Sequence, residues 1–288
     1  MSNYYPGILN TFSLEFSNFL NQLDIEFKLQ GNLFFFEKFK LAIEIVELNT
    51  PGSMAAPAEN NDKSELSLIE YKHITLYEDE WRTKNELLTS RLLINLGKSR
   101  TVFARNCEVR VIDSNTAKVF LNRNHLLGHT AASYYYALFV VKRAESFKEG
   151  LAEPIAVAAF SSPRPMNRDG EILSSYEWVR YASRRGVRVA GGMGKLLNYF
   201  VKEQSPQEIM SYADRDWSEG DVYKKLGFRF VGYTLPIDFV VNPLTFERVS
   251  IKKLRRKFGE DSPELSEENT LILRNRGNLK FLRRLSFR

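Results

Sequence analysis

Apolar residues recur at helical spacing at Phe12, Phe16, Phe19, Leu20 and Leu23, which predicts an amphipathic opening helix. Leu33–Phe36 and Leu41–Val46 then read as two short strands separated by Glu37 and Lys38 in a hairpin-like arrangement. Residues 51–64 mix Pro, Gly, Asn and Ala without a period and read as a mobile loop. Residues 73–77 predict a third strand, and 83–96 a helix that Gly97 ends. Further on, 102–113 reads as a strand and 115–122 as a short helix. Residues 134–142 and 155–161 read as adjacent strands of a central sheet, with a turn over 147–153 between them, and 177–181 alternates as the next strand. A strand end at Val187 then meets three glycines, a helix carried by Leu196, Leu197, Phe200 and Val201, and a strand over 209–213. A short helix bearing Val222, Tyr223 and Leu226 follows, and Gly227 closes it.

Composition narrows the class. Hydrophobic residues make up 43% of 288 positions and charged residues 26%, enough for sizeable cores and for one large domain or two. The formal charge is +6 and the pI about 9.2. Residues 248–288 hold twelve Lys or Arg against five Asp or Glu, so this end carries more than the whole net charge. Such a block suits contact with phosphates, and equally a solvated basic surface. Cys107 is the only cysteine, which excludes an internal disulfide or a multi-cysteine metal site. The start MSNYYPGILN has no basic-then-apolar signal, and the longest apolar stretch is too short to span a bilayer. These features predict a soluble, cytoplasmic protein without a membrane partner.

Candidate chemistry centres on residues 187–228. Gly191, Gly192 and Gly194 sit where extended chain turns into helix, so backbone N–H groups would face an anion there. After the next strand comes Asp214-Arg215-Asp216-Trp217, with Ser218 and Asp221 spaced as a helix cap and its acidic partner. The last phrase is Tyr223-Lys224-Lys225-Leu226-Gly227-Phe228. This succession resembles the acyl-CoA-binding core of the GCN5-related N-acetyltransferase (GNAT) superfamily. There a Gly-rich turn cradles the CoA pyrophosphate, two neighbouring strands splay around the acyl-pantetheine arm, and a tyrosine protonates the departing thiolate. Residues 211–218 are more narrowly similar to the C-terminal half of phage-borne, homing-endonuclease-associated proteins and to the phage DNA-modification protein Mom.

The resemblance implies acetyl-CoA or another acyl-CoA at Gly191, Gly192, Gly194 and Lys195, with Asp214, His125 and Tyr223 as the catalytic group. In this reading Asp214 accepts or orients an amine proton, His125 relays one, and Tyr223 protonates the thiolate. Each residue also has a plainer reading: Asp214 and Asp216 as helix caps, His125 as a structural loop histidine, Tyr223 as core. Trp217 reads as an exposed aromatic for stacking on a base, or as a lid over apolar core. Together with Arg215, Lys252, Lys253, Arg255 and Arg256 it forms the expected DNA-contacting set.

A second resemblance covers the first hundred residues. Leu41-Ala42-Ile43-Glu44, followed by 74–81, is similar to very-short-patch-repair endonucleases, but the preceding strand Leu33–Phe36 lacks the carboxylate that would complete a Mg2+ site. The implication is a degenerate nuclease fold with no metal, unless Glu47 or Glu37 supplies the missing carboxylate. Glu78, Asp79 and Glu80 read as a solvated turn before a helix. The expected fold is α/β (α+β): a smaller restriction-endonuclease-like αβ domain at 1–98, a GNAT-like mixed central sheet with flanking helices at 99–242, and a basic C-terminal extension at 243–288. The function implied is acyl transfer to a nucleobase amine of DNA in a phage-infected or bacterial host cell. Alternatives are a DNA-binding protein, non-catalytic or of nuclease type, and an acetyltransferase for a small amine or a protein.

Overall fold

The computed structural model describes residues 11–48, 54–57, 70–141, 153–259 and 271–285. In chain order the first elements are α1 (Thr11–Gln22), β1 (Lys28–Gln30), β2 (Leu33–Phe36), β3 (Leu41–Val46), β4 (Met54–Ala55), β5 (Lys72–Tyr77), α2 (Glu78–Thr83) and α3 (Asn85–Asn95). Then come β6 (Arg100–Phe103), β7 (Cys107–Val111), α4 (Ser114–Asn124), β8 (Tyr134–Val140), β9 (Ala156–Phe160), β10 (Arg164–Arg168) and β11 (Glu171–Ser183). The remainder is β12 (Val187–Ala190), α5 (Gly192–Gln204), β13 (Glu208–Asp214), α6 (Asp221–Lys225), β14 (Arg229–Tyr233), β15 (Asp238–Val241), β16 (Arg248–Ser250), α7 (Ile251–Phe258), β17 (Leu271–Arg274) and β18 (Asn278–Arg284). No helix among the described residues is long and apolar enough to cross a membrane.

The chain forms two compact units. The first draws on Met1–Asn85, Asp214–Glu219 and Tyr233–Asn278, the second on Glu86–Ala213, Gly220–Gly232 and Leu279–Arg288. These units do not follow boundaries at 98 and 242. The segment expected as a basic extension instead supplies β16, β17 and α7 to the first unit and most of β18 to the second.

In the first unit, β1-β2-β3-β5 form one sheet and β16-β15-β17-β4 another. Phe16 of α1 meets Phe34 edge-on at 4.9 Å and Trp81 at 5.5 Å, the packing that the helical aromatic spacing foretold. Val46 and Tyr77 join Ala55, Val241, Leu271 and Leu273 in a separate buried cluster. The pair Met54–Ala55 lies inside the stretch expected to be a loop, and it forms a strand beside β17; much of the rest of 51–64 falls outside the described residues.

In the second unit a mixed sheet runs β14-β18-β13-β11-β9-β8-β7, with β10 folded back on β11. The run Tyr134–Val140 is apolar throughout because both faces of β8 are covered. Tyr136, Leu138 and Val140 face the cluster containing Leu196, Leu197 and Phe200 of α5, while Tyr135, Ala137 and Phe139 face Ala117, Phe120 and Leu121 of α4. Phe160 and Phe200 stack at 3.9 Å with planes 2° apart.

Several sequence expectations are corrected here. The strand over 102–113 is broken at Ala104–Asn106 into β6 and β7, and the helix over 83–96 is preceded by a separate α2. Glu78, Asp79 and Glu80 are no solvated turn. They open α2 with 8%, 1% and 8% exposure, their charges met by Arg82, Arg248 and Lys84. The turn over 147–153 falls almost wholly outside the described residues.

Candidate functional site

β11 and β13 run parallel and pair from Ser175↔Glu208 to Trp178↔Ser211, then part. A bulge between Trp178 and Arg180 turns β11, which continues beside β9 from Arg180↔Ala159 to Ser183↔Ala156. A bulge increases local twist, and here it draws one strand of a parallel pair away from the other. The last shared rung is fastened by side chains. Ser211 Oγ donates to the Trp178 carbonyl at 2.9 Å and lies 3.0 Å from the Tyr223 hydroxyl.

The Tyr223 ring is held by Phe281, stacked at 5.0 Å, and edge-on by Phe228 at 5.6 Å and Trp178 at 6.1 Å. Burial pushes its phenol pKa up, so it is a protonated donor at neutral pH. Its hydroxyl therefore sits where the strands separate.

The Gly-rich turn adjoins the same opening. Gly191, in the left-handed region at φ 78°, caps α5. In an α-helix the N–H groups of the first turn, here Gly192, Met193 and Gly194, find no carbonyl within the helix. Gly192 is required by packing, because a Cβ there would lie 2.7 Å from the Tyr181 hydroxyl and 2.8 Å from Val189 Cγ1. Tyr181 belongs to the separated part of β11, so turn and opening are neighbours. A Cβ on Gly194 would lie 3.2 Å from Leu226 Cδ2, just past α6. Lys195 differs from the glycines: its ammonium donates to the carbonyls of Ala104, at 3.0 Å, and Cys107, tying α5 to β7.

His125 caps α4 at its C-terminus. Its Nδ1 accepts from the Leu127 N–H at 3.1 Å, which leaves the proton of a neutral ring on Nε2. His129 stacks on Tyr135 and bonds its hydroxyl at 3.1 Å, a structural role.

Asp214 ends β13 and counts with the first unit. Its Oδ1 accepts from the Asp216 N–H at 3.0 Å. Asp216 does not cap a helix. It is 4% exposed, takes the Tyr77 hydroxyl at 3.0 Å, and lies 3.9 Å from Arg276 Nε. Burial, with the charge of Asp214 adding to it, pushes its carboxyl up to about 7. Arg276 also donates to Glu44 at 2.6 Å and to Thr75 Oγ1 at 3.2 Å. Glu44, the nuclease-like carboxylate, is thus neutralised in place.

Two further expectations fail. Trp217 is buried at 4% exposure and presents no stacking platform. The cap of α6 is Gly220, in the left-handed region and without a side-chain bond, rather than Ser218. Arg215 donates to the Arg276 carbonyl at 2.8 Å and lies over the Tyr233 ring at 4.7 Å, a packing role. Lys252, Lys253, Arg255 and Arg256 fit the expectation better: with Lys257 they are exposed along α7, while Ile251 and Leu254 are half-buried. Sequence reasoning missed Arg276, Ser211 and Arg180. Arg276 gives no local signal, since its partner Glu44 is 232 residues away.

No family model and no curated protein matches the sequence. Solved structures do. The NatC complex bound to Gag peptide and CoA contains a chain that is 10% identical, covering 63% of this chain and 99% of that one, at a TM-score of 0.37. Histone acetyltransferase HPA2 and related acetyltransferase from Corynebacterium glutamicum gives 11%, 64%, 98% and 0.37. A Bacillus subtilis acetyltransferase in complex with CoA gives 13%, 62%, 99% and 0.32. Likeness at this level carries no weight of its own.

Proposed function

We propose that the second unit binds an acyl-CoA and that the protein transfers its acyl group to a nucleobase amine of DNA. The observation that carries this reading is the convergence of the Gly-rich turn on the open end of the β11–β13 pair, through the Gly192–Tyr181 contact. The N–H groups at Gly192, Met193 and Gly194 suit a pyrophosphate, and the gap beyond Trp178 and Ser211 suits a thin pantetheine arm. Acyl-CoA would supply an activated acyl group. Tyr223, its proton held beside Ser211, is the donor to the leaving sulfur. The sequence resemblance assigns the proton of the attacking amine to Asp214 and a relay to His125. Lys195 is left out of the anion site because its ammonium is engaged elsewhere.

The exposed cations of α7 support the DNA partner. They equally support a second reading, a DNA-binding protein without catalysis. A nuclease-type protein is disfavoured by the Glu44–Arg276 pair. The phage or bacterial setting rests on the sequence resemblance alone.

The test is incubation of the protein with acetyl-CoA and single- or double-stranded DNA, followed by digestion and mass analysis of the nucleosides. An acylated nucleoside is expected, lowered about 100-fold or more with Tyr223→Phe. DNA binding with a steep salt dependence but no acylated nucleoside would select the second reading. Changing Lys252, Lys253, Arg255 and Arg256 together to Gln should flatten that salt dependence.

A further inference from the structure

Arg180 is the first residue of β11 past the bulge, in the segment that has left β13. Its Nε donates to the Gly128 carbonyl at 3.2 Å and its Nη1 to the Val179 carbonyl at 2.9 Å. Both partners are neutral. Three other half-buried arginines, Arg168, Arg248 and Arg276, meet the carboxylates of Glu208, Asp79 and Glu44. Arg180 forms no ion pair there, although Glu177 is near enough to favour its charge slightly. Burial outweighs that and pushes its pKa down. Withdrawing a cation from water without an opposing charge is unfavourable, and a ligand that brings an anion would relieve it.

Strand alternation separates this group from the glycine turn. Tyr181 pairs with Ala158 in the cluster on the α5 side, whereas Arg180 pairs with Ala159, which packs with α4 on the other face. Gly128, which accepts from Arg180, lies in the loop that carries His125. That loop is braced by the bond from His129 N–H to Asn122 Oδ1 at 2.8 Å. An anion at Arg180 therefore belongs to a different ligand group from one at the glycine turn.

We propose that Arg180 recognises a phosphate of the acceptor, so that the acceptor of this site is a nucleotide unit rather than a neutral amine. This deepens the proposed function and rests on it for the word acceptor. The planar guanidinium offers two parallel N–H bonds to phosphate oxygens, a fit that lysine does not reproduce. A phosphate is favoured over a carboxylate because the chain carries a net charge of +6 and so attracts polyanions.

The test is calorimetric titration of the full chain with deoxynucleoside 5′-monophosphates, the matching deoxynucleosides, inorganic phosphate, glutarate and acetyl-CoA. Wild type, Arg180→Gln and Arg180→Lys are compared, each checked by thermal melting. The nucleotide should bind about tenfold or more tighter than the nucleoside. Arg180→Gln should abolish that preference, Arg180→Lys should keep part of it, and acetyl-CoA affinity should stay unchanged in both. The proposal is overturned if nucleotide and nucleoside bind alike, or if the preference survives in Arg180→Gln. It also falls if inorganic phosphate or glutarate binds as well as the nucleotide, or if acetyl-CoA affinity falls in step with nucleotide affinity. Should Arg180→Gln fail to fold, Arg180→Lys decides, because full retention of the preference there contradicts recognition by the fork. Failure of wild type to bind acetyl-CoA would remove the acyl-transfer reading and leave the nucleotide comparison standing.

Discussion

Each unit contains a parallel strand pair flanked by charged side chains, and the two pairs end differently. In the first unit β3 and β5 pair over six rungs, from Leu41↔Lys72 to Val46↔Tyr77. In the second, β11 and β13 pair over four and then separate, leaving Val179 to Ser183 of one and Tyr212 to Asp214 of the other apart. The charges follow the same division. Glu44 in the closed ladder is matched by Arg276, which also lies near Asp216, whereas Arg180 on the open strand meets only carbonyls among the described residues. A closed ladder that matches its own charges holds structure together. An open one whose cation meets carbonyls leaves that charge for a ligand to match.

The comparison breaks most sharply at Arg276. Arg276→Met would remove the cation paired with buried Glu44, and urea unfolding should show a loss of about 3–5 kcal/mol. Adding Glu44→Leu should recover much of it, and an unchanged midpoint in the single variant would show the pair to be unimportant.

Asp216 sharpens the same side through pH. Its carboxyl titrates near 7 in the fold against an ordinary 3.8, so the folded chain keeps a proton that the unfolded chain loses from about pH 4 upward. Its contribution is therefore full below pH 4, declines by at most about 1.4 kcal/mol per pH unit as the pH rises to 7, and is constant above. Asp216→Asn should remove that decline from the thermal stability profile.

On the open side, Ser211→Ala removes the fastening at the last rung and should cost about 1 kcal/mol. The smallest effect is expected from Glu44→Gln in a Mg2+-dependent nicking assay, where variant and wild type should both be inactive.

How much of this was legible in the sequence depends on the distance between partners. The start of α5 at the three glycines, the end of α6 at Gly227, and β8 as a fully apolar strand were all readable, because capping and periodicity act within a few residues. Trp217 was not. Its polar neighbours Asp214, Arg215, Asp216 and Ser218 suggested an exposed loop, whereas Asp216 is drawn inward by Tyr77, 139 positions earlier. The charged triplet at Glu78, Asp79 and Glu80 misled for the same reason, since Arg248, which receives Asp79, is 169 positions away. The strand order was readable, but β11 leaves β13 at a bulge just past the rung that Ser211 fastens to the Trp178 carbonyl, and no periodicity marks either feature.

The central claim is that acyl-CoA binds at the glycine turn beside the open strand pair, and isothermal titration with acetyl-CoA on wild type and Gly194→Asp tests it most directly. The added Cβ would meet only the flexible tip of Leu226, and an acid in the first turn suits the helix while opposing a bound anion. The account predicts saturable binding by wild type and loss of that binding in a variant with unchanged melting behaviour. Equal binding by both proteins, or none by wild type, would contradict it.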